Sequence, residues 1–223
     1  MVGEKLIIFD IDGVLIDSYS GIPIFYEKIL PNMLGIDRDY SRFLLYMEYI
    51  YDQAGTLREE WWPKYFSINE ETLTYLLARY WEIRTETSEL EPGTRSVLKN
   101  LKSRGWIIGS VSYRDDIYGL KLWRIKNAGL HDLFEDIIVV GEDAPSRIEG
   151  IRILARKYKP KTIVYVDDKI QNLYRILGKL ENIVLVWYRY SWINGVLEKH
   201  VSSSRIHVIH NMYELEKLLD EIS

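Results

Sequence analysis

The stretch that decides the fold is residues 5–18, which read Lys-Leu-Ile-Ile-Phe-Asp-Ile-Asp-Gly-Val-Leu-Ile-Asp-Ser. The first five residues are apolar except for Lys5, and two of them are β-branched, which predicts a buried strand over 5–9. The run ends abruptly at Asp10 and Asp12, and Gly13 permits a sharp turn directly afterwards. The sequence therefore predicts a strand that presents two carboxylates at its carboxyl end.

Five later apolar runs resemble this one and predict further strands at 106–111, 137–140, 162–166, 183–187 and 206–209. Helical spacing fills the intervals at 94–103, 117–128, 146–158 and 211–222. Near-continuous apolar strands are typical of a parallel sheet that is covered on both faces. We therefore expect an α/β fold, a Rossmann-like three-layer αβα core with a parallel sheet, formed by residues 1–16 and 91–223.

Residues 17–90 interrupt the alternation, because no convincing strand is seen there. Helical spacing covers 40–52 and 70–85, and the block is rich in aromatic residues. The apolar stripe of the first of these helices is Phe43, Leu44, Met47 and Ile50. We expect an all-helical cap domain over 17–90, with its aromatic side chains mostly in a core and its basic residues, Arg58 and Arg84 among them, mostly on a solvated face.

Composition excludes several classes of function. The 223 residues carry a net charge of −4 and no cysteine, so disulfides, thiolate nucleophiles and Cys-ligated zinc are ruled out. With this net charge the protein lacks the broad positive field that binding to nucleic acid or to an anionic membrane requires. No signal peptide or membrane-length apolar run is recognisable, so we expect a cytoplasmic protein with a small-molecule partner. The sequence predicts no particular oligomeric state.

The polar residues that follow the predicted strands carry the chemistry. In an open parallel sheet ligands bind beyond the carboxyl ends of the strands, and Asp10, Asp12, Ser112, Asp167 and Asp168 all fall there. Crowded carboxylates repel one another unless a cation lies among them, and an all-oxygen set suits Mg²⁺. A carboxylate beside Mg²⁺ can attack phosphorus while a second acid moves the proton, which Asp10 and Asp12 can supply together. The alternative is that this pair only forms a turn and a helix cap.

The motifs resemble those of the haloacid dehalogenase-like hydrolases. The residues that carry the resemblance are Phe9 to Ser18, Glu91 to Thr94, Arg104 to Ser112 and Val164 to Asp168. The Asp-x-Asp-Gly form of the first motif implies the phosphatase branch. The resemblance implies an Mg²⁺-dependent phosphatase that hydrolyses a small phosphorylated metabolite through a phospho-aspartate.

The resemblance also implies individual roles. Asp10 is the nucleophile and a metal ligand, and Asp12 is the general acid and base whose backbone carbonyl also faces the metal. Ser112 binds the transferring phosphoryl group. Asp168 binds Mg²⁺, with Asn172 four residues further on, and Asp167 is a second ligand or acts through water.

Two departures from the family pattern leave alternatives open. Tyr113 follows Ser112 where an asparagine is common, and Arg147 is the cation in place of the family's lysine, in a register that the sequence does not fix. Arg147 can hold a phosphate oxygen and Asp10 together, or be an exposed helix residue. A phosphotransferase or phosphomutase with the same chemistry, and an inactive family member that acts as a binding module, are the competing functions.

Overall fold

The structure, a computed structural model, describes residues 5–180, 182–189 and 205–222. The chain divides into two compact units. The first, the α/β unit, runs to Asp17, resumes over Leu90–Arg114 and continues from Gly119. The second, the helical unit, consists of Ser18–Glu89 together with Asp115–Tyr118. No helix in the described part of the chain has both the length and the apolar character needed to cross a bilayer.

The strands lie close to where the sequence predicts them. They are β1 (Lys5–Phe9), β2 (Ile16–Asp17), β3 (Glu89–Leu90), β4 (Ile107–Tyr113), β5 (Asp136–Val140), β6 (Thr162–Asp167), β7 (Ile183–Tyr188) and β8 (Ile206–Ile209). Six of them form one parallel sheet in the order β5-β4-β1-β6-β7-β8. The two-residue strands β2 and β3, which the sequence analysis missed, pair with each other. The predicted α/β fold is confirmed.

Alternation along β1 builds the layers of the α/β unit. Ile7 and Phe9 pack into one core with residues of the helices at 94–103 and 212–221. Leu6 and Ile8 point to the opposite face and pack with residues of the helices at 147–158 and 170–176. Because successive side chains of a strand face opposite sides, a continuous apolar run fills both cores. This is the three-layer arrangement expected from the sequence.

The helices of the chain are α1 (Gly21–Ile24), α2 (Leu30–Leu34), α3 (Arg38–Ala54), α4 (Arg58–Tyr65), α5 (Glu70–Glu86), α6 (Thr94–Ser103), α7 (Leu120–Asn127), α8 (Arg147–Tyr158), α9 (Ile170–Ile176) and α10 (Met212–Glu221), with a π-helical turn at Phe25–Ile29 and a 3₁₀ turn at His131–Leu133. Asn211 caps α10 by accepting from the backbone N–H of Glu214, as the capping pattern predicts. Helix α7 begins three residues later than the predicted 117. Its N-cap is Gly119 at φ 74°, and the preceding residues 115–118 belong to the helical unit.

The helical unit packs differently from the predicted stripe. On α3 the buried positions are Ser41, Leu44 and Glu48, whereas Phe43 and Ile50 are exposed. Trp62 lies at the centre of the aromatic core, stacked 5.6 Å from Phe25, and its Nε1 donates to the hydroxyl of Tyr26. The expectation of an aromatic core holds for these residues, but the predicted stripe on 40–52 is wrong.

Two arginines of the helical unit are buried, contrary to the expected solvated face. Arg58 pairs with Glu48 and with Asp116, whose Oδ2 lies 2.9 Å from Nη1. Arg84 donates from Nε to the carbonyl oxygen of Ser18 and from Nη2 to its hydroxyl. A buried cation must be paired to offset its desolvation, and the buried acid Glu48 and the nearby tyrosine and tryptophan rings provide that environment.

Candidate active site

Strand register places three carboxylates together at the carboxyl edge of the sheet. Phe9 of β1 pairs with Val166 of β6, so Asp10 and Asp167 follow side by side, and the N–H of Asp10 donates to the Val166 carbonyl oxygen at 2.9 Å. Asp168 comes next along the chain. One carboxylate oxygen from each of Asp10, Asp167 and Asp168 lies within 4.8 Å of the others, and all three residues are buried. Acids far apart in sequence therefore form one cluster.

The turn after β1 fixes the orientation of Asp10. Gly13 adopts φ 74°, a left-handed conformation that costs glycine little, and the N–H groups of Leu15 and Ile16 donate back to the carbonyl oxygen of Ile11. Asp10 Oδ1 accepts from the N–H of Ile11 at 2.9 Å. This contact leaves Oδ2 as the oxygen that faces the basic group described next.

Arg147 is that basic group. Its Nη2 lies 3.2 Å from Asp10 Oδ2, its Nε lies 3.7 Å from Asp167 Oδ2, and its Nη1 donates to the carbonyl oxygen of Val111. Arg147 can contact these groups because α8, which begins with it, packs closely on β4. The packing is so close that a Cβ on Gly150 would come within 2.8 Å of Val111 Cγ1. Burial alone lowers the pKa of Arg147, but Asp10 and the neighbouring acids raise it well above its usual value.

Burial dominates the electrostatics of Asp10. Desolvation by burial raises the pKa of Asp10, the positive charge of Arg147 lowers it, and the negative charge of Asp167 raises it; together they bring it to about 6. The net effect is an upward shift from 3.8, so the cation of Arg147 compensates the buried charge only in part. A second positive charge in the cluster would lower the free energy of the ionised form.

Asp167 is held by several donors. Its Oδ2 accepts from the hydroxyl of Tyr165 at 2.6 Å, and its Oδ1 accepts from the N–H of Lys169 at 2.8 Å. Asn172 Nδ2 lies 3.1 Å from both oxygens. Asn172 was the residue that favoured Asp168 as the metal ligand in the sequence, but the contact of Asn172 in this network is with Asp167.

Ser112 lies within β4, one residue before its end, and is fully buried. Among the residues that the structure describes, no group makes a hydrogen bond with the Ser112 hydroxyl. A buried hydroxyl without a partner costs free energy. Such a hydroxyl near the carboxyl end of a strand is therefore typical of a position that binds a ligand. The same strand brings Ser110 into the interior, also with a hydroxyl that has no partner in the described part of the chain.

The carboxylate of Asp12 lies outside the three-acid cluster and is bound by two cations of α7. Lys121 Nζ contacts Asp12 Oδ2. Arg124 Nη2 lies 2.6 Å from Oδ1 and its Nη1 lies 3.3 Å from Oδ2. Neither cation was identified from the sequence, although their spacing of three positions, which puts them on one face of a helix, was a usable signal.

The donor set fits a hard divalent cation. The cluster of Asp10, Asp167 and Asp168 contains only oxygen ligands, it is buried, and Arg147 compensates its negative charge only in part. Carboxylate oxygens are the ligands that Mg²⁺ prefers. Of the four metal ligands expected from the sequence, Asp10, Asp167 and Asp168 have their side chains together, and Asp12 was expected to contribute its backbone carbonyl.

Residues 4–173 match the sequence model of a protein family described as "Hydrolase: haloacid dehalogenase-like hydrolase". No curated protein matches the sequence. Among solved structures, similar folds include a haloacid dehalogenase-like family hydrolase from Streptococcus pneumoniae, with 17% identity, TM-score 0.63 and coverage of 98% of this chain and 100% of that one.

Two further structures have comparable similarity. A HAD phosphatase from Thermococcus onnurineus has 21% identity and TM-score 0.61, with 96% of this chain and 97% of that chain covered. A haloacid dehalogenase-like family hydrolase from Xanthomonas campestris has 14% identity and TM-score 0.59, with 99% and 92% covered. At these identities the structural matches show the shared fold, whereas the family model shows the family.

Proposed function

Because the chain belongs to the haloacid dehalogenase-like hydrolases, we propose that it is an Mg²⁺-dependent phosphatase of small phosphomonoesters with Asp10 as its nucleophile. The observation that carries the proposal is the position of Asp10, which is buried among Asp167 and Asp168 and bonded to Arg147. A carboxylate in such a setting is both a ligand for a divalent ion and a nucleophile held toward an anionic substrate.

The first half-reaction phosphorylates the protein. Asp10 Oδ2 attacks phosphorus and forms an acyl phosphate bond, while the bond between phosphorus and the ester oxygen breaks. Asp12 gives its proton to that departing oxygen, so the product leaves as an alcohol. The Ser112 hydroxyl donates to a phosphoryl oxygen, and this gives it the hydrogen-bond partner that it lacks among the described residues.

The second half-reaction restores the enzyme. Asp12, now a carboxylate, takes a proton from a water molecule, whose oxygen attacks phosphorus. The bond between phosphorus and Asp10 breaks, and Asp10 returns as a carboxylate while inorganic phosphate leaves. Arg147, with a forked guanidinium beside Asp10, pairs with phosphoryl oxygens in both steps, the role that a lysine has elsewhere in the family.

Asp10, Asp167 and Asp168 would hold Mg²⁺, together with the backbone carbonyl of Asp12. The ion supplies positive charge that offsets the repulsion between the nucleophile and the phosphate dianion. The grouping of three buried carboxylates supports this assignment, because one oxygen of each lies within 4.8 Å of the others. To the helical unit we assign the role of a cap that selects the small phosphorylated metabolite.

The test is turnover of p-nitrophenyl phosphate by the purified protein with Mg²⁺, with EDTA, and in the variant Asp10→Asn. We expect activity only with the metal and a loss of at least 1,000-fold in the variant, on the order of what removal of a covalent nucleophile costs. Asp132→Asn, which removes an exposed acid of the same unit, is the matched control. Undiminished turnover in Asp10→Asn would contradict the mechanism. Absence of turnover in a protein that binds Mg²⁺ would favour the inactive binding module.

A further inference from the structure

Helix α7 carries two cations that meet at one carboxylate. Lys121 and Arg124 are three positions apart and therefore lie on the same face of the helix. Both are almost fully buried, at 4% and 3% exposure. Next to Arg124, the side chain of Ile125 is fully buried in the core. At the start of α7, Glu142 accepts a hydrogen bond from the N–H of Gly119. Helix α7 is thus fixed by a hydrogen bond to Glu142 at its start and by the burial of Ile125 in the core.

The two cations grip different oxygens of Asp12. Arg124 Nη2 donates to Oδ1 at 2.6 Å, while Lys121 Nζ and Arg124 Nη1 donate to Oδ2. A carboxylate that is bound at both oxygens from one rigid helix has its plane and its rotamer fixed. The Asp12 side chain is therefore oriented by the two cations of α7.

The cost of this arrangement indicates a use beyond stability. Taking two cations out of water is unfavourable, and replacing buried ionic groups with apolar ones of similar volume is often neutral or stabilising. Lys121 also acts on the neighbouring nucleophile, because its charge lowers the pKa of Asp10 against the effect of burial. The cations of α7 therefore lie within electrostatic range of both aspartates of the first motif.

We propose that Lys121 and Arg124 are positioning residues that hold the Asp12 carboxyl group in line with the ester oxygen it serves. The inference rests on the proposed function, in which Asp12 protonates the leaving group. Its consequence is selective: substrates whose leaving group needs a proton depend on the α7 cations, and substrates whose leaving group departs as a stable anion do not.

The experiment compares kcat/KM for p-nitrophenyl phosphate and for an alkyl phosphate in Lys121→Met and Arg124→Met, with Mg²⁺ present. The value of kcat/KM reports the steps up to departure of the alcohol, so hydrolysis of the phosphoenzyme does not enter it. We expect a fall of about 10- to 100-fold for the alkyl ester, as for a misplaced catalytic group, and less than about threefold for the nitrophenyl ester. Asp12→Asn should show the same selectivity more strongly.

The ratio of the two kcat/KM values keeps the test decisive, because it does not depend on how much of a variant folds. Arg124→Lys retains the charge without the fork and should recover part of the kcat/KM for the alkyl ester that Arg124→Met loses, while the exposed Lys126→Met on the same helix should leave both values unchanged. Equal losses for the two esters, or no loss, would overturn the positioning role. If wild-type protein hydrolyses neither ester, the proposed function itself has failed.

Discussion

Replacing Asp10 with asparagine should stabilise the metal-free protein. The ionised carboxylate is buried, and its pKa rises from 3.8 to about 6 on folding. A raised carboxyl pKa means that the folded state binds the proton more tightly than the unfolded state. The free energy of unfolding is therefore highest below pH 4 with respect to this group, falls between pH 4 and 6, and is lowest above pH 6.

The magnitude follows from the shift. About two pKa units correspond to a cost of about 3 kcal/mol at neutral pH. A neutral asparagine of the same shape avoids this cost, so Asp10→Asn should raise the thermal midpoint by roughly 6–12 °C at pH 7.5 in EDTA, at about 2–4 °C per kcal/mol for a chain of this length. At pH 4.5 the gain should shrink to about a third, because the wild-type carboxyl is then largely protonated in the fold.

The assay is thermal unfolding followed by circular dichroism at both pH values, with and without Mg²⁺. Added Mg²⁺ should stabilise the wild type more than Asp10→Asn, since the ion binds a carboxylate cluster that the variant lacks. Asp132→Asn is the control for loss of an exposed charge and should leave the midpoint nearly unchanged. A lower or unchanged midpoint for Asp10→Asn at pH 7.5 would refute the claim that the burial of this carboxylate is only partly compensated by Arg147.

Three further outcomes are expected. Ser112→Ala should lower kcat/KM by about 10- to 100-fold, the worth of a hydrogen bond to a charged group, while the urea midpoint stays within error because the hydroxyl has no partner among the described residues. Asp116→Asn, which breaks the buried pair with Arg58, should cost about 3–5 kcal/mol in urea unfolding, and the exposed Asp39→Asn should cost almost nothing. Gly150→Ala should cost about 1–3 kcal/mol and lower activity, because its new methyl group pushes α8 away from β4. These assignments would be contradicted by a lower urea midpoint in Ser112→Ala or by equal losses of unfolding free energy in the two aspartate variants. A Gly150→Ala variant with unchanged stability and activity would also contradict them.

The α/β core was predictable because its signals are local. The runs at 5–9 and 162–166 are largely apolar and each is followed by an aspartate. The strands predicted at 5–9 and 206–209 coincide with the observed β1 and β8. The convergence of Asp10 and Asp167 also followed from general rules, since parallel strands bring their carboxyl ends to the same edge. The parallel arrangement of β1 and β6 was therefore enough to predict that these two aspartates lie close together.

Features that depend on partners were missed. A buried arginine such as Arg58 is indistinguishable in sequence from an exposed one, because its burial depends on Glu48 and Asp116, which are distant along the chain. The contact of Lys121 with Asp12 spans 109 residues, so the spacing of Lys121 and Arg124 could indicate a shared helix face but not their partner. Amphipathic spacing was also misleading in α3, where the buried positions include Ser41 and Glu48 and the apolar stripe read from the sequence is half exposed.

The central claim is that Asp10 takes the phosphoryl group. The direct measurement is to mix the protein with Mg²⁺ and p-nitrophenyl phosphate, quench in acid, reduce with sodium borohydride and map the product by peptide mass spectrometry. An aspartyl phosphate is reduced to homoserine, so the account predicts homoserine at position 10 and none in a sample without substrate. Turnover that yields no homoserine, or homoserine at a different acid, would contradict it.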